Sequence, residues 1–415
     1  MNKVFKTFLA LALVVVMAAP ALAEFKFNGY IRNQFYSGEF KSTSNTDGDS
    51  QQWVTQRFRA KLTYTLNENV AVVYYGEVDT DWGLNSKGAI GGGGKRGADG
   101  VNVETKNVYL DVNFDDTKAR LGVQTMKDAF DGIVFFDDMA GISVTQSFGA
   151  TSLTGVYSKW DEGSKSNWDD EDFYGIVGSH KFNDNLKATA QLYYYDDNDA
   201  MNEIFFFGPR IDYTADDLSV TGFAVMQSGE LADDTVDTSA YVASVKGSMK
   251  IDGGNVNLRF IYGSPNDDDS DDDSWKGDIG SYAFVKENQM IMLIDPYVTD
   301  WAKEQYAVAD GLKGGYGLAA LVASGNHNLS DDMYFKWGAG YYMAADENPD
   351  GEMKREGDTI GYEICTRVGK KMFGKVDLSL NAAYADFGDF YDNTVNGTDD
   401  PDAIYKAYVM VNVPF

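Results

Sequence analysis

The chain has 415 residues, a single cysteine, and 64 acidic against 35 basic side chains, for a net charge of −29. Binding phosphates takes clustered Lys and Arg, so this balance argues against nucleic acid and favours cations as company. A lone Cys365 closes no intramolecular disulfide, so stability must come from another source, such as one large hydrogen-bonded sheet.

Taken in chain order, Met1 to Ala23 comes first. Lys3 and Lys6 precede an apolar stretch from Phe8 to Ala19, and Ala21-Leu22-Ala23 forms an A-x-A cleavage site. A secretory signal peptide is expected, because the apolar stretch is shorter than the roughly 18 to 20 residues of a spanning helix. Its removal takes away two lysines and no acid, moving the charge from −29 to −31 over residues 24–415. Beyond it no window approaches a transmembrane helix; the most apolar run, Met290 to Ile294, is far too short.

Runs of period-two alternation then recur to the end of the chain. Phe25, Phe27, Ile31 and Phe35 alternate with Lys26, Asn28, Tyr30, Arg32 and Gln34, and Phe58, Ala60, Leu62 and Tyr64 alternate with Arg57, Arg59, Lys61 and Thr63. Val108, Leu110, Val112 and Phe114 repeat the pattern, as do Val376, Leu378, Leu380 and Tyr384. A soluble β-sandwich would alternate too, so the connections decide. Long Ser37–Gln52 is followed by tight Asn67-Glu68, long Gly83–Gly100 by tight Asp115-Asp116, and long Thr125–Met139 by tight Gly149-Ala150. Asp161–Glu171 then precedes Asn183-Asp184, Asp197–Asn202 precedes Asp216-Asp217, and Glu230–Asp237 precedes Asp252-Gly253. The very long Ser264–Asp310 leads to a turn at Asn326–Ser330, then Asp346–Glu356, the tight Lys371–Phe373, and Gly388–Asp402.

One end of the molecule is all turns and the other all loops. This predicts an all-β transmembrane antiparallel barrel with short periplasmic turns and long external loops. Lipid offers no partner for an unpaired backbone, so the sheet must close on itself. The runs number eighteen, or sixteen if those near Ser143–Tyr157 or Ile204–Gln227 are not strands.

The last run puts Tyr405, Ala407, Val409, Val411, Val413 and Phe415 on one face, with Lys406, Tyr408, Met410 and Asn412 on the other. Ending on an aromatic, it resembles the Gram-negative outer-membrane porins, and over residues 24–415 the chain is most similar to the homotrimeric porins of Desulfovibrio-type sulfate-reducing bacteria. That resemblance implies that Phe415 is read by the barrel-assembly machinery, in an outer membrane of lipid and lipopolysaccharide. It also implies a third loop folded into the pore. Where the family commonly has Pro-Glu-Phe-Gly, this chain has Asp128-Ala129-Phe130-Asp131-Gly132.

The loop acids Asp128, Asp131, Asp137 and Asp138 would face a pore-lining basic row of Arg32, Arg57, Arg59, Lys61 and Arg120. Opposed rows of charge orient dipolar solutes; the alternative is that these charges are solvated faces of a wet channel. The run containing Asp267, Asp268, Asp269, Asp271, Asp272 and Asp273 is either a solvated loop or a weak Ca²⁺ or Mg²⁺ site, since its spacing is no EF-hand. Met290 to Tyr297, in the same segment, is too apolar to lie in water and is expected in the vestibule or against a neighbour. Gly88–Gly100 lacks the G-K-[ST] of a phosphate loop and reads as flexible, and the resemblance adds a latch between subunits.

No cofactor is expected, and an enzyme is disfavoured because His180 and His327, the only histidines, fall beside tight turns. Gly29, Asn33 and Gln56 on the outward register are poor lipid contacts, which suggests self-association, and the resemblance specifies a homotrimer. The expected function is a porin passing ions and small hydrophilic solutes by passive diffusion, with a preference for cations. A channel selective for a sugar or amino acid is the alternative; a barrel enzyme and a soluble binding module are the rivals from other classes.

Overall fold

In a computed structural model, residues 24–39, 50–84, 94–97, 101, 103–163, 169–232, 236–267, 271–277, 311–349, 352, 354–392 and 403–415 are described. Met1 to Ala23, Met290 to Tyr297, Asp268, Asp269 and most of Gly88–Gly100 lie outside them.

The strands are β1 Glu24–Glu39, β2 Ser50–Thr65, β3 Val70–Asp81, β4 Glu104–Phe114, β5 Thr117–Lys127 and β6 Phe136–Phe148. Next come β7 Thr151–Asp161, β8 Glu171–Lys181, β9 Leu186–Asp197, β10 Asn202–Ala215, β11 Leu218–Leu231 and β12 Val236–Ile251. The series ends with β13 Gly254–Gly263, β14 Leu318–Asn328, β15 Met333–Met343, β16 Thr359–Met372, β17 Val376–Phe387 and β18 Ile404–Pro414. Each pairs antiparallel with its neighbours in sequence, and β1 also pairs with β18, so the 18-stranded sheet closes and has no edge. The runs with the weaker alternation form full ladders as β6–β7 and β10–β11, which removes the sixteen-strand alternative.

Local chemistry explains the tight end. Asn67 Oδ1 accepts from the Asn69 and Val70 N–H groups, both at 2.9 Å, and Asn183 Oδ1 does the same for Asn185 and Leu186 at 2.9 and 3.0 Å. These side chains close their turns by standing in for a backbone carbonyl. Asp115 and Asp216 take φ of 43° and 50°, a left-handed conformation that Asp tolerates better than most residues.

Closure is sealed where the chain ends. Gly29 and Phe415 exchange both backbone hydrogen bonds, at 3.1 and 3.0 Å, and the Phe415 ring lies 5.2 Å from Phe27 and 5.9 Å from Phe58. A Cβ on Gly29 would run into the Arg59 carbonyl and crowd the Phe415 ring, so glycine is needed there.

Directly opposed residues share a face, so inside and outside can be followed around the ladder. The outer face carries exposed apolar side chains on strand after strand, among them Phe27, Leu121, Ile176, Phe260, Ile364 and Leu380. Such a continuous apolar surface is far larger than a soluble monomer leaves bare. The buried core lies inside the barrel. Phe130, Ile133, Val134 and Phe135 of the β5–β6 connection pack against Phe173, Tyr193, Phe206 and Phe223 on the inner wall, and Trp275 joins them. The lumen is therefore filled on its β8–β13 side.

Candidate functional site

The inward fold of the β5–β6 connection is built around one carboxylate. Asp128 is almost fully buried; its Oδ1 accepts from the Phe130 and Gly132 N–H groups at 2.6 and 2.9 Å, and its Oδ2 from Val134 and Phe135, both at 2.7 Å. Burial pushes this carboxyl up to about 6, while the same N–H groups pull it down. An Asp128→Asn variant can keep the bonds to one oxygen, but its amide NH₂ then faces two N–H donors. Each donor left unpaired costs about 1–3 kcal/mol. The expected result is faster hydrogen exchange at Val134 and Phe135, or at Phe130 and Gly132 if the amide flips, with the barrel strands unchanged.

Asp131 fastens the tip. It has φ of 66°, followed by Gly132 at 85°, and this left-handed pair turns the chain back towards the wall. Its carboxylate accepts from Arg210 Nη1 at 2.5 Å and Arg259 Nη2 at 2.6 Å, side chains that rise from β10 and β13. Arg210 also donates to the Ala129 carbonyl at 2.9 Å and pairs with Asp212. Burial alone would raise the Asp131 carboxyl, yet Arg259 and Arg210 hold it below the usual range.

The other two acids of the expected constriction lie elsewhere. Asp137 and Asp138 are not loop residues: β5 runs on to Lys127 and β6 begins at Phe136, so they pair in register with Met126 and Thr125. Asp138 shares the outer face with Thr125, and its carboxylate accepts hydrogen bonds from Lys106, Thr125 and Asn107. Asp137 is exposed and accepts from the Asp138 N–H at 2.6 Å.

The basic row is inside. Register places Arg32, Arg57, Arg59, Lys61 and Arg120 all on the lumen face. Three are matched by acids on adjoining strands rather than by the loop: Arg57 with Asp79 and Glu77, Arg59 with Glu77, and Arg120 with Asp111. Arg120 also lies 4.1 Å from the Tyr109 ring. Arg32 and Lys61 have no carboxylate partner among the described residues, and Arg32 stands directly opposite Arg57.

The same wall carries further cations that were not singled out from the sequence. Lys336 on β15 sits directly opposite Arg367 on β16, and Lys406 on β18 is almost fully buried beside the stacked Tyr36, Trp53 and Tyr408 rings. Arg367 donates to Asn381 Oδ1 and, at 3.3 Å, to Tyr408 Oη; Lys336 lies 5.5 Å from the Tyr334 ring. Neither Lys336 nor Arg367 forms a close ion pair among the described residues; both feel the one Asp377 carboxylate, which accepts from Tyr334 Oη at 2.8 Å. Their inward parity, in FKWGAG and CTRVGK, was the signal that could have found them. The lumen thus has one side filled by the inward loop and a basic wall running from β15 through β18 and β1 to β2.

The acidic run is partly built into the fold. Asp273 Oδ1 accepts from the Ser239 N–H at 2.5 Å, and Asp272 is bonded to Lys276 and Ser274. Asp267 is exposed, and among the described residues no group of three metal-binding side chains forms there or elsewhere. His180 takes Thr151 as its partner at 2.8 Å and His327 takes Trp337 at 3.1 Å; both lie on the outer face near tight turns.

No protein-family model matches the chain, and neither does any curated protein. Solved structures do match. OccAB1 of Acinetobacter baumannii superposes with a TM-score of 0.60 at 12% identity, covering 94% of this chain and 96% of that one. The outer membrane protein OpdK of Pseudomonas aeruginosa gives 0.58 at 11% identity, covering 94% and 98%; its structure with vanillate gives 0.57 at 10%, with the same coverage. At these identities the likeness establishes the fold.

Proposed function

We propose that the chain is an outer-membrane channel of a Gram-negative bacterium, selective for small solutes that carry an anionic group such as a carboxylate. The observation that carries this reading is the excess of cations on the lumen wall: Arg32 and Lys61 have no carboxylate partner among the described residues, and Lys336 and Arg367 share one nearby carboxylate, Asp377, which is itself held by Tyr334 Oη. Like charges directly opposed across a sheet are destabilising, so the Lys336–Arg367 pair makes sense where an anion visits. The apolar outer face supports a lipid setting, with the tight turns towards the periplasm and the long connections outside. The superposition with an OpdK that holds vanillate, an aromatic carboxylate, is in keeping with the solute class.

A second reading, a general diffusion pore that prefers cations, is favoured by the net charge of −29. The two differ in sign. At low ionic strength, where screening is weak, the zero-current potential in a salt gradient indicates anions for the first reading and cations for the second. Aromatic carboxylates should also compete with small-anion current, whereas neutral sugars should not.

The outer face of β1 and β2 suggests self-association, as a homotrimer. Gly29, Asn33 and Gln56 share that face, Asn33 Oδ1 is buried without a partner, and Gln56 accepts from Trp82 at 3.4 Å. Amides find better partners in a second subunit than in lipid. A native mass in mild detergent equal to one chain at every concentration counts against it.

Export through Met1–Ala23 and recognition of Phe415 by the assembly machinery complete the reading. Phe415→Asp removes the ring contacts with Phe27 and Phe58, worth about 1 kcal/mol for a half-covered ring at the closing seam, and sets a charge against lipid. Heat-modifiable barrel in the outer membrane should fall sharply while export continues; normal amounts of folded protein would refute this.

A further inference from the structure

Three segments at the long-loop end converge on one guanidinium. Arg355, in the β15–β16 connection, lies 4.8 Å from the Tyr316 ring and 4.4 Å from the Phe390 ring. Tyr316 belongs to the segment 311–317 that leads into β14, and Phe390 to a short 3-10 turn, Asp389–Tyr391, between β17 and β18. The two rings also meet edge-on, with centroids 4.9 Å apart and planes at 85°.

Around them Leu312, Ala344, Ile360 and Tyr391 are buried, so the mouth has a small apolar core of its own. Backbone bonds knit the same pieces. The Ala345 and Asp346 N–H groups both donate to the Tyr316 carbonyl, at 2.9 and 3.1 Å, and the Arg355 N–H donates to the Glu347 carbonyl at 3.0 Å. The Gly388 N–H reaches the Ile360 carbonyl at 3.1 Å, and the Thr359 N–H reaches Asp389 Oδ1 at 3.0 Å.

The network continues downward. The Asn266 N–H donates to the Gly315 carbonyl at 2.7 Å, and the Trp275 N–H to the Leu312 carbonyl at 3.3 Å. Trp275 Nε1 then donates to the Ile133 carbonyl of the inward loop at 3.0 Å. Contacts therefore pass from the outer mouth to the constriction without a break.

A core this small does not hold three segments by burial alone. Arg355 is the side chain that touches both rings; its Nε is buried without an acceptor, and besides the Coulombic pull of Glu352 the contacts that hold the guanidinium are those of its flat faces. We infer that Arg355 is the clasp that holds residues 311–317, 344–349 and 388–391 together at the long-connection end of the barrel, and that through Trp275 it stiffens the inward loop. This depends on the barrel and its connections and is independent of which solutes pass.

The test uses the full-length protein with Arg355→Ala and Arg355→Lys, reading hydrogen exchange and single-channel noise. In Arg355→Ala the Ala345, Asp346 and Gly388 amides should exchange roughly tenfold faster, and together, while strand amides such as Cys365 keep their rates. Open-channel noise should rise with them. Arg355→Lys, which keeps the charge but not the planar faces, should fall between. Unchanged rates, or acceleration confined to residues next to position 355, would overturn the clasp. Failure of Arg355→Ala to assemble a barrel would overturn it as well, by giving Arg355 a part in folding the strands.

Discussion

A channel carrying Lys336→Gln and Arg367→Gln together should lose most of its preference for anions while conducting at a comparable rate. At an effective dielectric near 20, a unit charge roughly 6 Å from a passing anion contributes about 3 kcal/mol before desolvation is subtracted. Even a quarter of that for each of the two charges, about 1.5 kcal/mol together, predicts a change in relative permeability on the order of tenfold. Both residues stand on rigid strands, in register with each other, so the substitutions change charge with little change of shape. The permeability ratio from zero-current potentials at low salt is the measurement, with Arg120→Gln as the comparison. Arg120 is matched by Asp111, so its removal frees an acid and should shift the ratio further towards cations at that height only. If the double variant keeps the parent's ratio, the basic wall is not the selective element.

The barrel was legible in the sequence because two of its constraints are periodic. Alternation sets which side chains face lipid, and alternation of tight and long connections sets the strand count, so β1 to β18 follow from local pattern. The lumen was legible only in part. Arg32, Arg57, Arg59, Lys61 and Arg120 were placed by the same parity, but which acid each meets depends on cross-strand register, and Asp79, Glu77 and Asp111 are set by that register. The inward loop was the hardest. Asp128 resembles a pore-facing acid in sequence, yet it spends both oxygens on its own backbone. Asp131 meets Arg259 across a separation of 128 positions, a contact no local pattern encodes. Asp137 and Asp138 differ because strand pairing resumes at Phe136, directly after the loop, satisfying backbone groups that would otherwise need water.

Asp131→Ala should release the tip of that loop and widen the pore. Removing one partner from a buried ion pair costs about 3–5 kcal/mol, because the charge left behind has lost both its solvent and its partner. Here two arginines lose a partner, Arg210 partly exposed and still paired with Asp212, and Arg259 almost wholly buried, so the larger penalty falls where burial is deepest, at β13. The loop's apolar residues still prefer the inner wall, which keeps Phe130 and Phe135 near Phe223 and Phe173 but without a fixed tip. The expected record is a larger and noisier open-channel current, with cations and anions both gaining. Near pH 5 acid acts on Asp128, whose carboxyl is pushed up to about 6, and not on Asp131. Because Arg259 and Arg210 hold the Asp131 carboxyl below the ordinary aspartate value, its contribution persists above that value and is lost only as pH falls through the lowered one. A variant whose current and noise match the parent at neutral pH, where both carboxyls are ionised, would contradict the clamp.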